Sequence, residues 1–291
     1  MKNSEINIRD PFVMFEDGKY YMYGTRAANF GRQTGGFDVY ISTDLENWSE
    51  PIACFDSEKY GMNRKCNWAP EVHKYKGAYY MFATFTTDKV FSPSRNFKAT
   101  YIMKSDSPLG PFVPHSDGPI TPDDWMCIDG TLYVAKDGTP YVVFCHEWVQ
   151  VTDGTICYQE LSDDLSATVG EPVTIFKASS PYWADVTDEN TPRVTDGPYM
   201  YRTKYCELYM LWSTFIKEQY AECLVKFTDG EIDGNFVHLD PLIDDDGGHG
   251  MIFGDGNKVY LTFHKPDTPH GSERPDFFEM EETENGLKIK K

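Results

Sequence analysis

The chain has 291 residues, with 27 Lys and Arg against 46 Asp and Glu, a formal net charge of −19. A chain this acidic gains nothing from counterion release on a phosphate backbone, so neither nucleic acid nor an anionic membrane surface is an expected partner. No stretch approaches the run of about 18 apolar residues that a membrane span needs, and the seven cysteines are scattered, odd in number and without a Cys-x-x-Cys pair, which argues against a disulfide framework or a zinc site.

From the N-terminus, residues 1–10 contain no apolar core of a secretory signal, so the expected location is cytoplasmic, or periplasmic or secreted if a signal has been trimmed ahead of them. Five segments then repeat one pattern, a turn followed by an aromatic or β-branched strand. They are Asp17-Gly18 before Tyr20–Thr25, Lys76-Gly77 before Tyr79–Thr84, Asp137-Gly138 before Tyr141–Phe144, Cys206-Glu207 before Leu208–Ser213, and Asp255-Gly256 before Val259–Phe263. Such dipeptides between apolar runs mark hairpins, because both central residues of a type I′ turn need positive φ. A short apolar strand precedes each turn: 11–15, 71–75, 131–135, 198–202 and 250–253. Five units spaced about sixty residues apart, with no convincing amphipathic helix, predict an all-β, five-bladed β-propeller filling residues 1–291 as one domain. A β-sandwich with coincidental spacing is the alternative.

In a propeller the start of each innermost strand and the end of the strand after it share one mouth of the central channel. At the starts stand Asp10, Glu71, Asp129, Asp196 and His249; at the ends stand Thr25, Thr84, His146 with Glu147, Ser213 and His264. Several acids around one cavity suit glycosidic cleavage, which needs one carboxylate as base or nucleophile and another, raised in pKa, as acid. Alone, Asp10-Pro11, Asp129-Gly130 or Asp196-Gly197 is an ordinary turn starter; recurrence at one phase of the repeat favours function. Glu147, between His146 and Trp148 at the end of an apolar strand, stands where an unpaired carboxylate is costly. The rings of Trp68, Trp125, Trp148, Trp183 and Trp212 fall near the rim, where flat rings stack on sugar faces. Trp212 reads as core, Trp125 and Trp183 as platforms.

Arg9-Asp10-Pro11-Phe12 with Asp17-Gly18-Lys19-Tyr20-Tyr21, Trp68-Ala69-Pro70-Glu71-Val72 with Tyr79-Tyr80-Met81, and Ile128-Asp129-Gly130-Thr131-Leu132 resemble the motifs of glycoside hydrolase family 43 over nearly the whole chain. The resemblance implies an inverting, exo-acting or debranching hydrolase of arabinose- or xylose-containing plant polysaccharides. It implies that Asp10 is the general base, that Asp129 sets the acid's pKa and orientation, and that a Glu before Gly-Pro is the acid. Here that position is Asp196, one methylene shorter, so either Asp196 serves as the acid or the role has moved; Glu147 is the expected acid in preference to Asp196, because it ends the strand antiparallel to that of Asp129 and so returns to the same mouth, where Trp148 and Phe144 would desolvate it. Trp68, Glu71, Trp125, His146, Trp148, His249 and Arg274 are the expected substrate contacts. No cofactor is required, although His249 on the channel axis suggests a place for calcium or another ion. The acidic run Asp244–Asp246 reads as a solvated loop, since its spacing fits no EF-hand. Segment 273–278 resembles a ring-closing last strand, with Arg274 reaching an active-site carboxylate. A galactosidase of the same fold and a non-catalytic carbohydrate-binding propeller are the alternatives.

Overall fold

The computed structural model describes residues 1–290 except 34, 63, 185, 187, 189 and 285. It contains five four-stranded antiparallel sheets, each built from one continuous stretch of chain with its strands in sequence order. The innermost strands are Ile8–Glu16, Trp68–Tyr75, Cys127–Val134, Asp196–Arg202 and Gly248–Gly254, and they pack around a common channel. The second strands, Lys19–Arg26, Ala78–Ser92, Pro140–His146, Leu208–Ile216 and Val259–Lys265, carry the apolar runs seen in the sequence. Their side chains fill the spaces between neighbouring blades. Leu208 to Trp212 are fully buried, and Tyr23, Phe82, Phe144 and Phe263 are the corresponding anchors in the other four.

Blades one and two have the expected tight turns, with positive φ at both Asp17-Gly18 and Lys76-Gly77. In the other three blades the hairpins are longer and only one residue, Gly138, Cys206 or Gly256, takes positive φ. Asp255 shows why: its Oδ1 accepts the backbone N–H groups of Asn257 and Lys258, so a side chain supplies what the tight turn would have supplied. Segment 273–278 is not a last strand. It begins the third strand of blade five, Arg274–Thr283, and Gly286–Ile289 follows it at the edge. The ring closes where the Ile8 N–H bonds the Glu273 carbonyl and the Asn7 amide bonds the carbonyls of Gly271 and Glu273.

The innermost strands begin two to four residues earlier than their apolar runs suggested. In every blade the ladder to the second strand shifts register near its start, between Arg9 and Phe12, Trp68 and Glu71, Ile128 and Thr131, Asp196 and Tyr199, and Gly248 and Met251. Each shift is a β-bulge whose first residue is left-handed: Asp10 (φ 54°), Ala69 (46°), Asp129 (56°), Gly197 (49°) and His249 (52°). The next residue is Pro or Gly each time, which a bulge tolerates because no ladder N–H is needed there. Asp and His bear the left-handed conformation better than most side chains. The backbone requirement and the chemical one therefore meet at Asp10, Asp129 and His249.

Candidate active site

The five bulges are tied to one another around the channel. The residue opposite each strand start on the second strand is Thr25, Thr84, Cys145, Ser213 or His264. Four of these five hold the bulge of the next blade. Thr25 Oγ1 accepts from the Ala69 N–H (2.7 Å), Thr84 Oγ1 from Asp129 N–H (2.8 Å), Ser213 Oγ from His249 N–H (2.7 Å), and His264 Nδ1 from Asp10 N–H (3.2 Å). At blade three the hydroxyl is replaced by the Cys145 thiol, and the Asp129 carboxylate itself takes the Gly197 N–H at 3.2 Å. This belt satisfies buried donors that a strained backbone would otherwise orphan.

Inside the belt three carboxylates and one imidazole converge. Asp10 accepts the Thr25 hydroxyl at 2.6 Å, and His249 Nδ1 lies 3.2 Å from its Oδ1. The same nitrogen is 3.8 Å from Asp129 Oδ2. Asp196, one residue before its bulge, is partly open to the mouth and accepts the Tyr220 hydroxyl at 3.1 Å. Gly197 lets His249 come this close: a Cβ there would stand 2.7 Å from the imidazole Cδ2.

Burial works against charge on all three acids, and the neighbours decide the outcome. For Asp10 it is outweighed by His249, His264, Arg9 and the Thr25 hydroxyl, which hold its carboxyl below the ordinary aspartate value. Burial and the nearby Asp10 charge push Asp129 up to about 8, and burial with the Asp129 charge pushes Asp196 up to about 7. These groups titrate together, so near neutrality the Asp129–Asp196 pair retains a proton while Asp10 does not. One ionised carboxylate and one proton-bearing pair are what acid–base hydrolysis requires.

Other expected contacts fall elsewhere. Glu71 lies two residues past the blade-two bulge and sits below the mouth, its Oε2 accepting Thr131 and lying 3.1 Å from His73 Nε2. Glu147 reaches the flank of the mouth, where its charge acts on Asp129. Its surroundings are not the apolar ones expected from Trp148 and Phe144, because Lys98 Nζ donates to both its oxygens at 3.2 and 3.1 Å. Trp68 stays at the mouth, stacked on Phe30 (centroids 5.2 Å, 13° between planes) with Lys98 Nζ 4.5 Å over its ring. Trp125 and His146 stack on one another at 4.2 Å, and His146 is fixed by Gln150; neither contacts the three acids. Trp148 is half-buried in a one-turn helix, Trp148–Val151. Trp183 packs on Trp212 beside a cavity of about 520 Å³ whose lining includes none of the acids. Arg274 donates to the carbonyls of Ser4 and Glu273 rather than to a catalytic carboxylate.

The arginine that does serve the site is Arg9. Buried behind Asp10, it donates to Asp267 Oδ1 (2.8 Å) and Glu273 Oε1 (2.9 Å) and lies 4.5 Å over the Phe30 ring. The sequence signal for the belt was the Pro or Gly after each bulge; Arg9 stood in the motif beside Asp10 without a role assigned to it, and for Tyr220, which acts from the third strand of blade four, there was no signal. At the axis His249 Nε2 is buried without a partner, but the nearby acids face Nδ1 instead. Among the described residues no group of three His, Cys, Asp or Glu side chains is placed to hold a metal. Calcium prefers about six to eight oxygen ligands, waters included. The acidic run does not supply them: Asp244 and Asp245 are exposed, and Asp245 pairs with Lys265.

The profile of the glycosyl hydrolases family 43 matches residues 4–275. The chain belongs to that family. Among solved structures this family 43 protein is similar to an endo-arabinase from Bacteroides thetaiotaomicron VPI-5482, with 34% identity over 98% of both chains and a TM-score of 0.85. It is also similar to a thermostable family 43 glycoside hydrolase, with 25% identity, a TM-score of 0.83, and coverage of 98% of this chain and 93% of the other. An endo-1,4-β-xylanase from Bacteroides thetaiotaomicron VPI-5482 shares the fold at 23% identity and a TM-score of 0.78, over 100% of this chain and 96% of that one. No curated protein matches.

Proposed function

We propose that this family 43 glycoside hydrolase cleaves arabinofuranosyl linkages of plant polysaccharide with inversion, using Asp10 as base, Asp196 as acid and Asp129 between them. The observation that carries the reading is the convergence of the three aspartates on one mouth, where the surroundings lower the pKa of Asp10 and raise those of Asp129 and Asp196. Asp10, held by Thr25 and facing His249, accepts the proton of the attacking water. Asp129 accepts the Gly197 N–H, which favours its anionic form, and the Asp129 charge in turn raises the pKa of Asp196. Asp196 is the member of the pair open to the mouth, placed to protonate the leaving oxygen. Glu147 is a poorer acid on geometry alone, since both its oxygens already accept from Lys98.

Arabinose is preferred over xylose because the 34% identity over 98% of both chains is to an endo-arabinase. The test is incubation with linear arabinan, xylan and galactan. Release of arabinose or arabino-oligosaccharides, with proton NMR showing the first product in the anomeric configuration opposite to the substrate's, supports the proposal. The size of the products separates terminal cleavage, the mode the sequence suggested, from internal cleavage. Retained configuration excludes the base–acid assignment, and release of only xylose or galactose excludes the substrate. Asp10→Asn, which keeps shape but removes the proton acceptor, is expected to lose at least about 10²-fold in rate.

A further inference from the structure

Beside the catalytic mouth lies a second recess, of about 720 Å³, with a charge opposite to that of the chain as a whole. The fold builds it from an extension of blade two. Its second and third strands, Ala78–Ser92 and Arg95–Ser105, run past the sheet as a two-stranded ribbon on the mouth side of Thr84. The Thr86 hydroxyl ties this ribbon to the Lys65 carbonyl in the loop before Trp68. One wall is apolar, the stacked pair of Phe30 and Trp68; the others present Arg64, Lys65, Arg95 and Lys98, with Glu147 as the single acid. Lys98 is neutralised by Glu147, and Arg64 pairs at the rim with Asp88. The side chains of Lys65 and Arg95 have no partner among the described residues. Two uncommitted cations in one recess beside the mouth are unexpected in a chain of net charge −19.

We propose that this recess is a subsite for a uronic acid carried on the polysaccharide, its carboxylate between Lys65 and Arg95. The proposal rests on the hydrolase reading above. Neutral pentoses have no use for two unpaired cations, whereas the arginine fork matches a carboxylate in geometry as well as charge. The recess is continuous with the catalytic belt: Trp68 directly precedes Ala69, whose N–H is held by the Thr25 hydroxyl that also serves Asp10. A sugar held there is therefore bound beside the bond being cleaved.

The test is calorimetric titration of the Asp10→Asn protein, which binds without turnover, and of the same protein carrying Lys65→Gln and Arg95→Gln. The probes are arabino-oligosaccharides with and without a terminal galacturonate, xylo-oligosaccharides with and without a glucuronate branch, and free glucuronate. In at least one matched pair the acidic member is expected to bind about 10-fold tighter at low salt, the usual combined effect of two exposed ion pairs. That advantage should disappear at 0.5 M NaCl and in the Lys65→Gln/Arg95→Gln protein, with neutral binding unchanged. Equal affinity within both pairs, an advantage that survives the double substitution, or free glucuronate binding as tightly as the oligosaccharides each overturns the subsite. If none of the four oligosaccharides binds, the pentose-polymer reading falls and the subsite falls with it; binding by the neutral members alone overturns only the subsite.

Discussion

Glu222 offers a test of how the belt is held that does not touch the reacting groups. It lies on the third strand of blade four, is completely buried, and its Oε2 accepts the Gly250 N–H at 2.7 Å and the Ser213 hydroxyl at 3.0 Å. Ser213 in turn accepts the His249 N–H, so Glu222 secures both residues of the blade-five bulge. Burial dominates those two donors and pushes the carboxyl from an ordinary 4.5 up to about 8. Between these values the folded protein holds a proton that the unfolded chain has lost. The group's contribution is therefore complete below the unfolded value and decays as the pH rises through about 8. Full linkage amounts to at most about 5 kcal/mol, and water reaching the opened site reduces it to about 2–3 kcal/mol. Glu222→Gln keeps an acceptor for both donors and cannot ionise. Urea unfolding of both proteins at pH 5.5 and pH 9 is the assay. The variant should match the wild type to within about 1 kcal/mol at pH 5.5 and exceed it by about 2–3 kcal/mol at pH 9. An equal stability difference at the two pH values would refute the assignment of a buried, protonated Glu222.

Two further outcomes follow from the geometry. Gly197→Ala places a Cβ on a left-handed backbone and against the His249 ring, so kcat is expected to fall about 10²-fold with the fold intact by circular dichroism; activity within threefold of wild type would show that His249 need not stand between Asp10 and Asp129. The pH profile of kcat/KM should fall on its alkaline side near pH 7–8, as the Asp129–Asp196 pair loses its proton, and on its acid side below the ordinary aspartate value, as Asp10 gains one. A profile still rising at pH 9 would contradict the acid assignment.

The architecture was legible because each blade repeats a hairpin whose turn and apolar strand are local in sequence, as at Asp17–Thr25 and Lys76–Thr84. The site was legible where chemistry and bulge coincide, at Asp10, Asp129 and His249. It was out of phase where they do not: blade two has Ala69 at the bulge, leaving Glu71 two residues deeper, and blade four has Gly197, leaving Asp196 one residue earlier. Left-handed Asp-Pro and Asp-Gly dipeptides look like turns in sequence, and only cross-strand register reveals them as bulges inside a ladder. The surroundings of Glu147 were misjudged for a different reason. Its partner Lys98 comes from the neighbouring blade, 49 residues away, and local sequence lists only the aromatic neighbours. Arg274 likewise lies in the expected segment, while the guanidinium behind Asp10 comes from its immediate predecessor, Arg9.

The central claim, that Asp196 is the proton donor, is tested most directly by comparing two substrates differing in leaving group. An arabino-oligosaccharide needs its leaving oxygen protonated, whereas a dinitrophenyl arabinofuranoside departs as a stable anion. Asp196→Asn is expected to slow the oligosaccharide about 10²–10⁴-fold and the aryl substrate less than about 10-fold. Glu147→Gln should affect the two substrates equally. If the split appears in Glu147→Gln and not in Asp196→Asn, the donor is the ion-paired glutamate and the assignment made here is wrong.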